Sequence, residues 1–301
     1  MKPHARPDWL QQQERSHASI LRLMVWISRT FGRRLGRLVL HGIAAYFVVF
    51  SPMARRASRD YLGRVLGRHA GWRDGYRHVF SFASTIHDRL YLLNDRFDVF
   101  DIEVHGLEAL DAALQQQPGA LLIGAHLGSF EVLRATGRGR SGLKVAMLMY
   151  EQNARMLNAS LAAINPAASQ DIIALGRRDS MLEVRDKLDA GYVVGMLADR
   201  TLGDDATQEV DFLGQGAAFP LGPWRMAALL RRPVFFMAGL YLGGNRYRLH
   251  FELLADFSGV TRTEREAATA VAVQRYADCL ARFCVLAPYN WFNFFDFWQK
   301  K

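Results

Sequence analysis

The stretch Gly124-Ala125-His126-Leu127-Gly128-Ser129-Phe130-Glu131 holds the residue types most able to do chemistry. An imidazole can take a proton from a hydroxyl, and a carboxylate partner fixes its tautomer and stabilises the imidazolium. The spacing sets a condition. On one continuous helix, residues five apart point roughly 140° from each other, so His126 and Glu131 could not meet there. A turn at Gly128, with a helix opening near Ser129, removes that obstacle. His126 then sits in a loop and Glu131 reaches back to one ring nitrogen. Ser129 reads as the helix N-cap, and the first-turn amides offer an anion or oxyanion site. A buried, hydrogen-bonded core histidine would leave the same local trace, so the surrounding elements must decide.

Those elements alternate from residue 97 onward. Strands are expected at Phe100–Val104, Ala120–Ala125, Leu143–Met149, Ile172–Leu175 and Tyr192–Leu197, then at Glu209–Phe212, Pro233–Leu240 and Tyr247–Phe251. Helices are expected at Leu107–Gln117, from Ser129, and at Glu151–Ile164, Ser180–Asp189, Leu221–Leu230 and Thr263–Phe283. The pattern predicts an α/β fold: a central, mostly parallel sheet flanked by helices. Ligands of such sheets bind at the carboxyl ends of strands, which is where His126 falls. Asp199 and Arg200 follow another strand end and are expected at the same crevice. Gly-x-Ser-x-Gly is absent, so Ser129 is not read as a nucleophile.

The first quarter of the chain differs. Leu10 to about Leu93 has helical periodicity. Residues 1–77 hold 15 Lys+Arg against 4 Asp+Glu, a net of +11, while residues 78–301 net −2. Leu38–Phe50 (LVLHGIAAYFVVF) is apolar but, at thirteen residues, shorter than the roughly 20 that a spanning helix needs. Arginine-bracketed apolar segments suit an anionic membrane surface. No zinc-finger, RNA-binding or helix-turn-helix signature supports nucleic acid as a partner. A cleavable leader is not expected, because the apolar run starts late and no small-residue cleavage site follows it. The expected division is residues 1–95 as a basic, apolar, helical membrane-associating layer and residues 96–301 as the α/β core.

Composition excludes other classes. Half the 301 residues are apolar and 22% are charged, too apolar for a disordered chain. A mean hydropathy of −0.04 is too polar for a multi-span membrane protein. Cys279 and Cys284 cannot build a disulfide framework or a Cys-rich zinc site, and a reducing cytosolic side is the default. His87-Asp88 and His105 read as isolated surface or core residues, and no metal set is apparent.

GAHLGSFEVLRA resembles the His-x4-acid block of the glycerolipid and lysophospholipid acyltransferase superfamily. It is most similar to the bacterial lipid A biosynthesis (late, secondary) acyltransferase family. Further blocks agree in order: Arg55–Leu62, Gly195-Met196-Leu197-Ala198-Asp199-Arg200, Asp211-Phe212-Leu213-Gly214 with Phe219-Pro220-Leu221-Gly222, and Pro288-Tyr289-Asn290-Trp291. The resemblance covers roughly residues 35–300.

It implies acyl transfer from a thioester, acyl carrier protein favoured over coenzyme A, to a hydroxyl of a membrane lipid or glycolipid. His126 would be the base and Glu131 its partner, with no acyl-enzyme and no resident cofactor. It also implies a place at the cytoplasmic face of a bacterial inner membrane. Arg200, Asp199, Ser129, Arg178, Phe212 and Phe219 are the candidate substrate-binding residues. Arg200 would take a phosphate of donor or acceptor, or else steady its loop. Arg177 and Arg178 would dock an acidic carrier, or else be solvated. Phe212, Phe219, Trp224 and the C-terminal aromatics would line an acyl channel, or else belong to the core. Asn293-Phe294-Phe295-Asp296-Phe297 stands where the lipid A enzymes carry a His and basic residues. That departure points towards another acceptor, such as an ornithine-type or aryl polyene lipid. A thioesterase or lipid hydrolase on the same fold, and a non-catalytic membrane-binding protein, are the rival readings.

Overall fold

The β-branched, apolar runs that alternate with helical segments assemble into one seven-stranded sheet in a computed structural model that describes residues 18–133, 143–150, 171–176, 179–201 and 205–298. The expected helix at 151–164 lies outside the described residues, as do Arg177 and Arg178 and the start of the N-terminal helical stretch.

Three helices come first: α1 (Ala18–Phe50), α2 (Pro52–Leu66) and α3 (Trp72–Leu92). Gly32, at a φ of 78°, kinks α1. Ser51 separates α1 from α2, and Pro52 opens α2 at a position where a missing N–H costs nothing. Asp74 in the first turn of α3 accepts from the Gly71 amide (2.9 Å), half of a capping box.

The remaining elements are β1 (Asp101–His105), α4 (Leu107–Gln116), β2 (Ala120–Gly128), β3 (Lys144–Tyr150), β4 (Asp171–Leu175), α5 (Ser180–Asp189) and β5 (Tyr192–Leu197). They are followed by β6 (Thr207–Phe212), β7 (Gln215–Pro220), α6 (Gly222–Leu230), β8 (Pro233–Gly243), β9 (Arg246–Asp256) and α7 (Arg265–Leu286). The strand order is β1-β9-β8-β2-β5-β3-β4. All neighbours run parallel except β8 and β9, a long antiparallel pair. The mostly parallel α/β sheet read from the sequence is therefore the observed one. No strand was expected between Phe212 and Leu221; β7 forms there and pairs with β6 as a separate hairpin.

Alternation along β2 divides the core. Leu121, Ile123, Ala125 and Leu127 pack with α6, α7 and Trp291. Ala120 and Leu122 face the other way, with Leu107 and Leu110 of α4. Sealing such side chains from water is the main stabilising term.

The helical layer is tied to the sheet by polar bonds as well. Asp88 on α3 is buried, and burial alone would disfavour its charge. Hydrogen bonds from His87, Arg33 and Tyr247 nevertheless hold its carboxyl below the ordinary range. Arg33 of α1 grips it with two bonds (2.7 and 2.8 Å), and the Tyr247 hydroxyl of β9 adds a third (2.8 Å). His87-Asp88 is thus a core pair of the layer contact, while His105 stacks on His250 at the sheet edge.

Candidate active site

β2 and β5 lie side by side with Ala120 opposite Val193 and Gly124 opposite Leu197. The register offset is 73, and continuing it two residues beyond the last pair sets His126 opposite Asp199. Parallel strands hold such partners on the same face. The contact follows: His126 Nδ1 lies 2.8 Å from Asp199 Oδ1, and the His126 backbone N–H donates to Asp199 Oδ2 at 3.1 Å. Because a carboxylate only accepts, Nδ1 carries the proton. Nε2 is then a bare acceptor, with no partner among the described residues, on a side chain that keeps 33% of its exposure.

The carboxylate at the imidazole is therefore Asp199, where the sequence pointed to Glu131. Glu131 turns the other way. Its Oε1 lies 2.6 Å from Arg89 Nε of α3, and its Oε2 accepts from Ser129 Oγ at 3.1 Å. Two local facts separate it from the ring. First, β2 does not stop at Ala125 but runs to Gly128, so His126 sits on the strand end instead of in a loop. Second, the chain leaves Ser129 through a 3-10 turn, Phe130–Val132. Gly128 makes the bend at a φ of 71°, where a Cβ would overlap the Gly239 carbonyl.

The strand is prolonged by a distant partner. Leu127 bridges to Trp291, the Phe292 N–H donates to His126 O (2.7 Å), and the Gly128 N–H donates to Asn290 O (2.9 Å). The Ser129 N–H donates to Gly239 O (2.8 Å). The amides of Gly128 and Ser129 are thus consumed by the protein, and the expected anion site at the start of a helix is not formed by them.

Ser129 is the residue before the turn but makes no side-chain cap; its buried hydroxyl serves Glu131. Asp199, one of the expected substrate contacts, is instead 1% exposed and fully occupied by protein donors. Phe212 and Phe219 are sealed in an edge-to-face cluster with Trp291, Tyr276 and Phe297, which makes them packing residues. Trp224 is likewise buried. Arg200 lies near enough to His126 to act on its charge. It donates to Phe292 O (3.1 Å) and lies 5.2 Å from the Phe295 ring, while its buried Nε meets no acceptor among the described residues.

Sequence reading named the Pro288–Trp291 block but gave it no part in holding the imidazole, and it did not single out His78 or Ser58. Trp291 Nε1 donates to Asp199 Oδ2 at 2.9 Å. His78 Nε2 donates to Trp291 O (2.8 Å), which leaves its Nδ1 to accept from Ser58 Oγ (2.8 Å). Tyr289 donates to Asp74 (2.9 Å), and Asn290 pairs with both backbone groups of Tyr241. The Pro288–Trp291 block thus works as a clamp, and its signal lay in the Asn and Trp, polar groups that need partners when buried.

Electrostatics set the protonation states. Burial opposes the charge of Asp199, yet His126, Arg200 and the Trp291 N–H hold its carboxyl well below the usual range. Burial, with Arg200 adding to it, pushes the His126 imidazole below its ordinary 6.5; Asp199 pulls upward without prevailing. Burial pushes His78 down to about 4. A neutral, partly exposed imidazole backed by an ionised carboxylate can remove a proton from an alcohol.

Comparison with known proteins adds one finding. The family model described as bacterial lipid A biosynthesis acyltransferase matches residues 10–300, a longer span than the motif blocks cover. No curated protein matches the chain.

Proposed function

The chain belongs to the family of bacterial lipid A biosynthesis acyltransferases, and on that premise we propose that it carries a fatty acyl chain from a thioester to a hydroxyl of a membrane lipid or glycolipid, with His126 as general base. The observation that carries this reading is the His126–Asp199 pair, which leaves Nε2 facing outward.

His126 Nε2 takes the acceptor's hydroxyl proton as the oxygen attacks the thioester carbonyl. Asp199 stabilises the imidazolium so formed. The tetrahedral oxyanion collapses and expels the thiolate, which recovers the proton from His126 as a free thiol. The acceptor attacks directly, so no acyl-enzyme is needed. Arg200 binds a phosphate of the donor arm or of the acceptor headgroup through its uncommitted donors. Half-buried Phe294 and Phe295, beside His78 and Arg200, are better placed for an acyl chain than Phe212 and Phe219. Acyl carrier protein is the favoured donor, because an acidic carrier is steered by a basic surface.

The helical layer is the membrane-facing part in this reading. Among the described residues no single helix is long and apolar enough to cross a membrane; only the pair Gly32–Phe50 and Pro52–Leu66, bent by 95°, passes together. Tyr46, Phe47, Val49, Phe50 and Met53 are exposed around that bend. Beside it, Arg55 and Arg59 lie over the exposed Trp72 ring, at 4.8 and 5.4 Å. Apolar tips with an Arg and Trp collar suit a segment dipping into an anionic cytoplasmic leaflet.

Purified protein, supplied with acyl carrier protein or coenzyme A thioesters and extracted lipids, should add one acyl mass to a lipid, and His126→Ala should abolish it. Free fatty acid produced at equal rate without any lipid would favour the thioesterase reading. Sedimentation with anionic vesicles should weaken as salt rises; salt-insensitive binding to neutral vesicles alone would contradict the electrostatic part.

A further inference from the structure

We propose that Trp291 is a positioning residue for the transfer: its indole N–H fixes Asp199 and through it sets the aim and proton affinity of His126. This rests on His126 being the base. Asp199 is sealed from solvent and has three donors: His126 Nδ1 on Oδ1, and on Oδ2 the His126 backbone N–H and Trp291 Nε1. Of these, the indole alone is supplied by a segment other than the one that carries His126. It holds the carboxylate by Oδ2, the oxygen that the ring does not take.

The indole is itself immobilised. It has no solvent exposure, and it packs edge-on against Tyr61 (5.0 Å), Phe212 (5.3 Å) and Phe297 (4.9 Å). Its carbonyl accepts from His78, and its flanks pair with His126 and Gly128. A donor so fixed spreads the carboxylate's charge over two sides. With the N–H removed, Oδ2 keeps the backbone amide alone, and more of the negative charge falls on the bond to the ring. The imidazolium is then favoured, so the proton affinity of His126 rises.

Trp291→Phe keeps an aromatic ring and removes the donor. A side chain in which sulfur replaces the indole N–H (benzothienylalanine) at this position keeps the bicyclic shape as well, should the smaller ring disturb packing. Either replacement is expected to lower kcat about tenfold, the scale of one hydrogen bond to a charged group, with little change in KM for the thioester. Either should also move the acid limb of the kcat profile to higher pH. The same upward move should appear in a carbon-13 titration of the His126 ring. Loss of activity with both the limb and the ring titration unmoved would make Trp291 a packing residue and overturn the proposal. The two readings fail separately: a shifted ring titration beside a fully active His126→Ala would sink the base assignment, while an inactive His126→Ala beside an unshifted titration in both replacements would sink the role of Trp291.

Discussion

Asp199 and Glu131 are both nearly closed to water, at 1% and 7% exposure, yet they keep opposite company. Asp199 meets an imidazole, an indole N–H and a backbone amide. Glu131 meets a guanidinium and a hydroxyl. A carboxylate opposed to a group that titrates near neutrality regulates a proton. One opposed to a permanent cation has only position to confer. The Glu131 side of the turn is therefore an anchorage: Arg89 follows Asp88, whose bonds to Arg33 and Tyr247 join α1 to the sheet. The His126–Asp199 pair and the attachment of the helical layer lie on either side of one short turn.

Substitution can break that comparison. Asp199→Asn should cost most, about 10³- to 10⁴-fold in kcat, because an amide can hold the wrong imidazole tautomer. Glu131→Gln, which keeps the partnership with Ser129, should cost less than about tenfold, or roughly 1.4 kcal/mol in barrier. A Glu131→Gln enzyme as inactive as Asp199→Asn, with unchanged melting, would invert the assignment.

Arg89→Ala tests the anchorage. It leaves a buried carboxylate without its cation, and should lower stability by about 2 kcal/mol in a denaturant titration. This is less than for a fully buried pair, since Arg89 retains 30% exposure. Its kcat should fall only as far as folded protein is lost.

The smallest effect sharpens the Asp199 side. His126 lies below 6.5 through burial and Arg200, so the active, neutral base survives into mildly acidic solution and activity falls once pH drops through the lowered value. Arg200→Gln removes a repelling cation, and the acid limb should move up. A limb that stays in place or moves down would remove Arg200 from the field at the ring.

Much of this was readable beforehand. The runs at 120–125 and 192–197 are short, apolar and followed by polar residues, so two strand ends with His126, Asp199 and Arg200 at one crevice could be inferred. The +11 of residues 1–77 marked the helical layer as different in kind. The second strand of the β6–β7 hairpin was not legible, because Gly216, Ala217 and Ala218 carry weak strand preference and the pairing with β6 stabilises them. The aromatic residues carried too little information: periodicity does not distinguish Phe212, sealed behind Trp291, from Phe295, half-open beside Arg200.

By itself the amino-acid sequence determined the alternation of elements, the location of an imidazole at a strand end and the asymmetry of charge, since each is written in neighbours a few residues apart. Only the tertiary structure decided which acid serves that imidazole. Glu131 is five residues from it and Asp199 seventy-three, but a parallel register places residues from two strands on one face. The C-terminal clamp at Asn290–Phe292 then lengthens β2 and carries the ring away from its sequence neighbour. Pairing between distant segments leaves no local mark, so proximity along the chain could not stand in for proximity in space.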